Sequence, residues 1–122
     1  MVASDPVEAL LEGRRALGLP VAARRGEAFC RGRRYGHRPG LVDRVLTKIR
    51  RDAEEPLHAS IRAVRAYLDV AHTHPFEDGN ARSAVLLADW MLGGTRDWTA
   101  VLRIPKPPGD PRVPRLMLAV LG

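Results

Sequence analysis

Apolar residues recur three and four apart in several stretches of the chain, the spacing of a helix with one buried face. Asp5 to Leu17 places Val7, Leu10, Leu11 and Leu17 near that spacing. Ser4 or Asp5 can cap this first helix, Pro6 suits its first turn, and Gly18 and Pro20 stop it. Leu41 to Asp52 predicts a second helix, with Leu41, Val42, Val45, Leu46 and Ile49 on one face. A third is expected to open at Pro56 and to bury Leu57, Ile61, Val64, Tyr67, Leu68 and Ala71, with Arg62, Arg65 and Asp69 outside. It should end near His72-Thr73, because Pro75 disfavours helical geometry at His74. A fourth helix runs from about Asn80 through Leu92 to Gly93-Gly94. It is apolar almost all round and should be the most buried element, with Trp90 in the core, as Trp98 should also be. Residues 20–40 break the pattern and predict a loop or short hairpin anchored by Phe29 and Tyr35. The five prolines between 105 and 114 predict an irregular strap, and Arg115 to Leu121 a short last helix. The fold class is mostly α, a small helical bundle with room for one short β-hairpin, and residues 1–122 are expected to form one domain.

Charge changes this picture. Lys and Arg number 20 against 14 Asp and Glu, a net charge of +6, and only Lys48 and Lys106 are lysine. Twelve of the cations lie between Arg14 and Arg51, facing only Glu27 and Asp43. Such a stretch attracts phosphates or acidic partners, or is simply a solvated face. Its few aromatics give no stacking platform, so a nucleic-acid partner is not expected. Cys30 is alone, which excludes an intramolecular disulfide and a four-cysteine zinc site. No apolar run reaches the roughly 18 residues of a membrane span, and acids at the start of the chain do not suit a signal peptide. The expected location is the cytoplasm, with no membrane partner.

The candidate chemistry lies between the third and fourth helices, in His74-Pro75-Phe76-Glu77-Asp78-Gly79-Asn80-Ala81-Arg82. A buried helix ends, the chain turns, and a second buried helix begins with free backbone N–H groups and a positive dipole end. Gly79 and Ala81 allow close approach to the backbone, Asn80 can cap the helix or donate its amide, and Arg82 offers a planar fork for phosphate oxygens. Together these make an anion cradle. Asp78 is a hard oxygen ligand of the kind that holds Mg²⁺ together with substrate phosphates. His74 titrates near neutrality and could take a proton from an attacking hydroxyl. Phe76 is expected to pin the loop into the core.

In order and spacing this segment resembles the Fic-type signature His-Pro-Phe-x-(Asp/Glu)-Gly-Asn-Gly-Arg-x-x-Arg of the Fic/Doc family. Eight positions fit through Arg82, and the resemblance spans the motif and its flanking helices, roughly residues 56–92. It implies Mg²⁺-dependent transfer of a phosphate-containing group from a nucleotide to a hydroxyl, most often on a protein. In Fic-type members the group is AMP and the donor ATP. The resemblance gives His74 the part of catalytic base and Asp78 that of the Mg²⁺ ligand. Gly79, Asn80 and Ala81 would form the anion hole, and Arg82 would bind phosphate. It also implies a flap ahead of the motif that docks the target by strand pairing. The stretch around 29–40, with Tyr35 and His37, is the candidate.

Two departures stand out. Ala81 replaces the second glycine, and Val85 replaces the second arginine, which normally helps to orient the nucleotide's phosphates. Doc-type members also lack that arginine and transfer the terminal phosphate as kinases, but they usually carry lysine at the position of Ala81. The alternatives are therefore a Doc-like kinase, acting as the toxin of a toxin–antitoxin pair with an inhibitory partner, a non-catalytic nucleotide- or partner-binding scaffold, and an enzyme acting on a small molecule. The protein target would present a Ser, Thr or Tyr hydroxyl.

Overall fold

The structure, a computed structural model, describes residues 5–30, 32–94 and 96–121. Six helices and one hairpin follow in the order α1 (Pro6–Ala16), β1 (Ala28–Cys30), β2 (Arg33–Tyr35), α2 (Leu41–Ala53), α3 (Ala59–Thr73), α4 (Asn80–Met91), α5 (Thr99–Arg103) and α6 (Arg112–Leu121). The fold class is the mostly helical one expected, with a two-stranded antiparallel hairpin that pairs Ala28 with Tyr35, Phe29 with Arg34 and Cys30 with Arg33.

Asp5 caps α1, its carboxylate accepting from the N–H groups of Val7 and Glu8, while Ser4 lies outside the described residues. α3 and α4 pack against each other most extensively; α1 lies on α4, α2 on α3, and α6 on α3. Val64, Tyr67 and Val70 of α3 meet Ala84, Leu87 and Ala88 of α4 in the core, with Ile49, Trp98, Val101 and Met117 closing it from neighbouring elements. The small residues at Ala63, Ala66, Ala84 and Ala88, all buried, let the two backbones approach closely.

Several expectations are corrected. Pro56 does not open α3: it lies in the turn after α2, and the cap is His58, whose ring nitrogen accepts from the Ser60 N–H. The inward face of α3 is Ala63, Val64, Ala66, Tyr67 and Val70, so Ile61 is turned to the surface. Asp69 is not an outer residue, because Lys48 of α2 donates to its carboxylate at 2.9 Å. Trp90 is 38% exposed, since it lies on the outward side of α4 while Leu87, Ala88 and Met91 meet the core, whereas Trp98 is buried and donates to Asp89 at 2.8 Å. Phe29 is 71% exposed and anchors nothing: strand alternation turns its neighbour Ala28 inward instead. α6 begins at Arg112, ahead of the expected Arg115, and the short α5 was not foreshadowed by any long apolar period. The proline strap is tied down by Lys106, which donates to the carbonyls of Val101 and Ile104, while its own carbonyl accepts from His72. No helix among the described residues is long and apolar enough to cross a membrane.

Candidate functional site

α3 ends where Pro75 requires it to, and His74 takes the left-handed conformation (φ 50°) as its C-cap. The turn that follows is bound to itself. The Asn80 side chain reaches back over it: its oxygen accepts from the Phe76 N–H at 3.0 Å, and its amide donates to the Phe76 carbonyl at 2.9 Å. Asn80 therefore does not cap α4. Gly79 does, at φ 70°, with no side-chain bond. An ideal Cβ on Gly79 would lie 2.7 Å from a methyl of Leu19, so glycine answers both the positive φ and the crowding.

Two buried arginines hold this corner from beneath. Arg14 of α1 is fully buried and donates to the carbonyls of Pro20 and Asp78 and to the Ser83 hydroxyl. Its guanidinium lies 3.7 Å over the Phe76 ring, and Ser83 in turn donates to the Gly79 carbonyl. Phe76 is buried as the apolar pin of the loop. Arg24, 3% exposed, donates to the carbonyls of Thr73 and His74 at the end of α3 and to those of Gly26 and Gly36 at the base of the hairpin. Its backbone N–H goes to the Pro75 carbonyl. Neither arginine stands out in a chain with 18 of them. What sets them apart is a ring of carbonyls from distant segments, which only the folded chain assembles.

Arg24 thus fastens the hairpin beside the histidine. The Tyr35 ring stacks on the His74 imidazole with centroids 3.7 Å apart and planes 14° from parallel. Burial, reinforced by the charges of Arg24 and Arg33, holds the His74 pKa below the ordinary histidine value. The imidazole is therefore neutral at physiological pH, the state a base needs.

Beyond the loop the remaining motif residues face outward. Asp78 is 77% exposed in its side chain; one carboxylate oxygen accepts from the Gly79 N–H at 2.7 Å, and the other lies 4.0 Å from Arg82. The first intrahelical bond of α4 runs from Ser83 N–H to the Gly79 carbonyl, so the N–H groups of Asn80, Ala81 and Arg82 lack partners within the helix. Gly79 contributes its fold but not a free N–H, since Asp78 already takes it. Ala81 is exposed at the helix start, and its methyl has no packing role. Val85 is partly buried against the core, where it leaves no cation for a nucleotide. Among the described residues no three His, Cys, Asp or Glu side chains converge as a metal cage. The exposed Asp78 carboxylate, one oxygen of which is only loosely paired with Arg82, would suit Mg²⁺ that is carried largely by substrate phosphates.

These features define a helical fold whose two central helices are joined by a short, internally bonded loop, with a hairpin laid against the loop's histidine. The family model of the Fic/DOC family matches residues 10–92, and the chain belongs to that family. No curated protein and no solved structure matches the chain. The match runs from within α1 through α4, the hairpin included, and leaves out α5 and α6. Members of this family are in general transferases that move AMP or a related nucleotide-derived group.

Proposed function

We propose that the protein transfers AMP from ATP to a Ser, Thr or Tyr hydroxyl of a protein target. The observation that carries this reading is an imidazole stacked on Tyr35 at the end of α3, followed across one short loop by the unpaired N–H groups and the arginine of the α4 start. His74 would accept the hydroxyl proton as the oxygen attacks the α-phosphorus. The bond from that phosphorus to the bridging oxygen breaks, and pyrophosphate leaves. The N–H groups of Asn80, Ala81 and Arg82 would receive phosphate oxygens, and the Arg82 guanidinium would take a further share of the negative charge. Asp78 would hold Mg²⁺, which when bound offsets the charge of the phosphates. The hairpin would dock the target segment by strand pairing.

A second reading has its own support in Val85. Without the second arginine, the donor can sit with its terminal phosphate toward His74, which makes the protein a Doc-like kinase, and a toxin held in check by an antitoxin. Incubation with ATP labelled at the α or the γ position, followed by separation of labelled protein from a cell extract, discriminates between the two. AMP transfer leaves the α label on the target; phosphorylation leaves only the γ label. His74→Ala is expected to abolish transfer of either label, and an unchanged rate in that variant refutes both readings.

A further inference from the structure

We propose that a cavity beside Tyr35 is a recognition subsite for a carboxylate side chain of the target segment. This deepens the transfer reading above and rests on it for the identity of the bound chain. The cavity is about 400 Å³ and is bounded by the hairpin, the start of α2 and the end of α3. It adjoins the candidate base directly: Tyr35, which stacks on His74, forms part of its wall, and so does Thr73, the residue before His74.

Charge selects the occupant. Arg34, Arg38 and Glu27 all line the cavity, but Arg34 is paired with Glu27 at 3.0 Å. Arg38 is exposed and, among the described residues, has no carboxylate partner. The fixed charge of the lining is therefore a single surplus cation, which matches one carboxylate. A dianionic phosphate would bring twice the charge against the Glu27 carboxylate on the same wall.

His37 adds a hydrogen-bonding group. Its Nδ1 is buried and has no partner. No hydrogen bond fixes that nitrogen, and a half-turn about the Cβ–Cγ bond would exchange Nδ1 with Cδ2. With the proton on that nitrogen, a carboxylate accepting from it would satisfy an unpartnered polar atom and complete the grip begun by Arg38. A strand-docked target would thus present its hydroxyl to His74 and a nearby Asp or Glu to Arg38 and His37.

The test is a binding measurement on the full chain without nucleotide, so that it does not depend on the transfer reaction. The probes are short alanine-based peptides with one serine and one glutamate placed one to three residues to either side, with matched glutamine and lysine sets. Binding is followed by the imidazole NMR signals of His37. At least one glutamate peptide is expected to bind about tenfold tighter than its glutamine twin, the ratio for a single charge-assisted hydrogen bond. Arg38→Glu, a change at an exposed side chain, should erase that preference and turn it toward lysine. Glutamate and glutamine peptides binding within twofold of one another, or a preference that survives Arg38→Glu, overturns the subsite. Should glutamate selectivity appear while labelled ATP marks no target, the subsite stands and the transfer reading falls. Should transfer occur with no preference for a neighbouring acid, the subsite falls alone.

Discussion

Replacing Arg24 by methionine is the most informative perturbation of the corner that carries His74. The side chain serves four carbonyls, two at the C-terminal end and cap of α3 and two at the base of the hairpin, and is almost wholly buried. Methionine fills much of the same volume but donates nothing. Each carbonyl left without a partner costs about 1–3 kcal/mol, and the low end applies because the hairpin lies at the surface and water can re-enter. Four such groups give a loss of about 4 kcal/mol. A chain of this size has a total stability on the order of 6–18 kcal/mol, so the variant should fold but with a much reduced margin. Urea denaturation should show a lower midpoint with an unchanged slope. Hydrogen exchange adds the local view: amides of the 24–37 segment should lose protection before those of α3 and α4, because Arg24 joins the two without belonging to the core. Arg24→Lys should recover only part of the loss, since one ammonium cannot span four acceptors that a planar fork reaches. A loss below about 1 kcal/mol, with hairpin protection intact, would refute the view that this arginine fastens the hairpin to the histidine.

Further outcomes follow from the same corner. Because the His74 pKa is depressed by burial and by Arg24 and Arg33, the folded state binds fewer protons than the unfolded one just below the ordinary histidine value. Its contribution to stability is full above pH about 6.5 and is lost as pH falls through the lower folded pKa. An NMR titration of the ring should locate that pKa, and a value at or above the ordinary one would sink the neutral-base assignment. Arg33→Ala should move the titration upward and shift the acid limb of transfer activity with it. Phe76→Ala should cost about 3–5 kcal/mol by thermal or urea unfolding, since it opens a cavity beneath the Arg14 guanidinium. Gly79→Ala should destabilise by at least about 1–2 kcal/mol, from its positive φ and from the push of its Cβ on Leu19, and Gly79→Asn should relieve only the conformational part, because asparagine tolerates that φ but carries the same Cβ; an alanine variant as stable as the parent would argue against a left-handed cap.

The sequence announced the helices because their signals are local. Apolar spacing marked α1 to α4, Asp5 marked the start of the first, and Pro75 marked the end of the third. The motif loop was legible for the same reason, since consecutive residues of fixed type suffice to place it. Long-range partnerships were not legible. Arg14 meets Asp78 and Ser83 across more than sixty positions, and Arg24 meets Thr73 and His74 across about fifty. In an arginine-rich chain no composition or period separates these two from their solvated counterparts. Phe29 misled because size suggested an anchor, whereas a three-residue strand has only one inward position that matters here, and Ala28 holds it. Asn80 was expected at the helix mouth, yet its amide turned backward because the Phe76 backbone offers it a donor and an acceptor together.

That backward turn of Asn80 has a kinetic meaning. Both prongs of the amide close on the N–H and the carbonyl of one residue four positions upstream, so the bend is already set when the chain has folded and, on the proposed reading, nothing remains to be arranged when an anion arrives. Association should then be limited by encounter rather than by loop ordering, with little entropy lost on capture. An aspartate in its place would forfeit one prong and bring a negative charge to the mouth of the nest, slowing capture for both reasons.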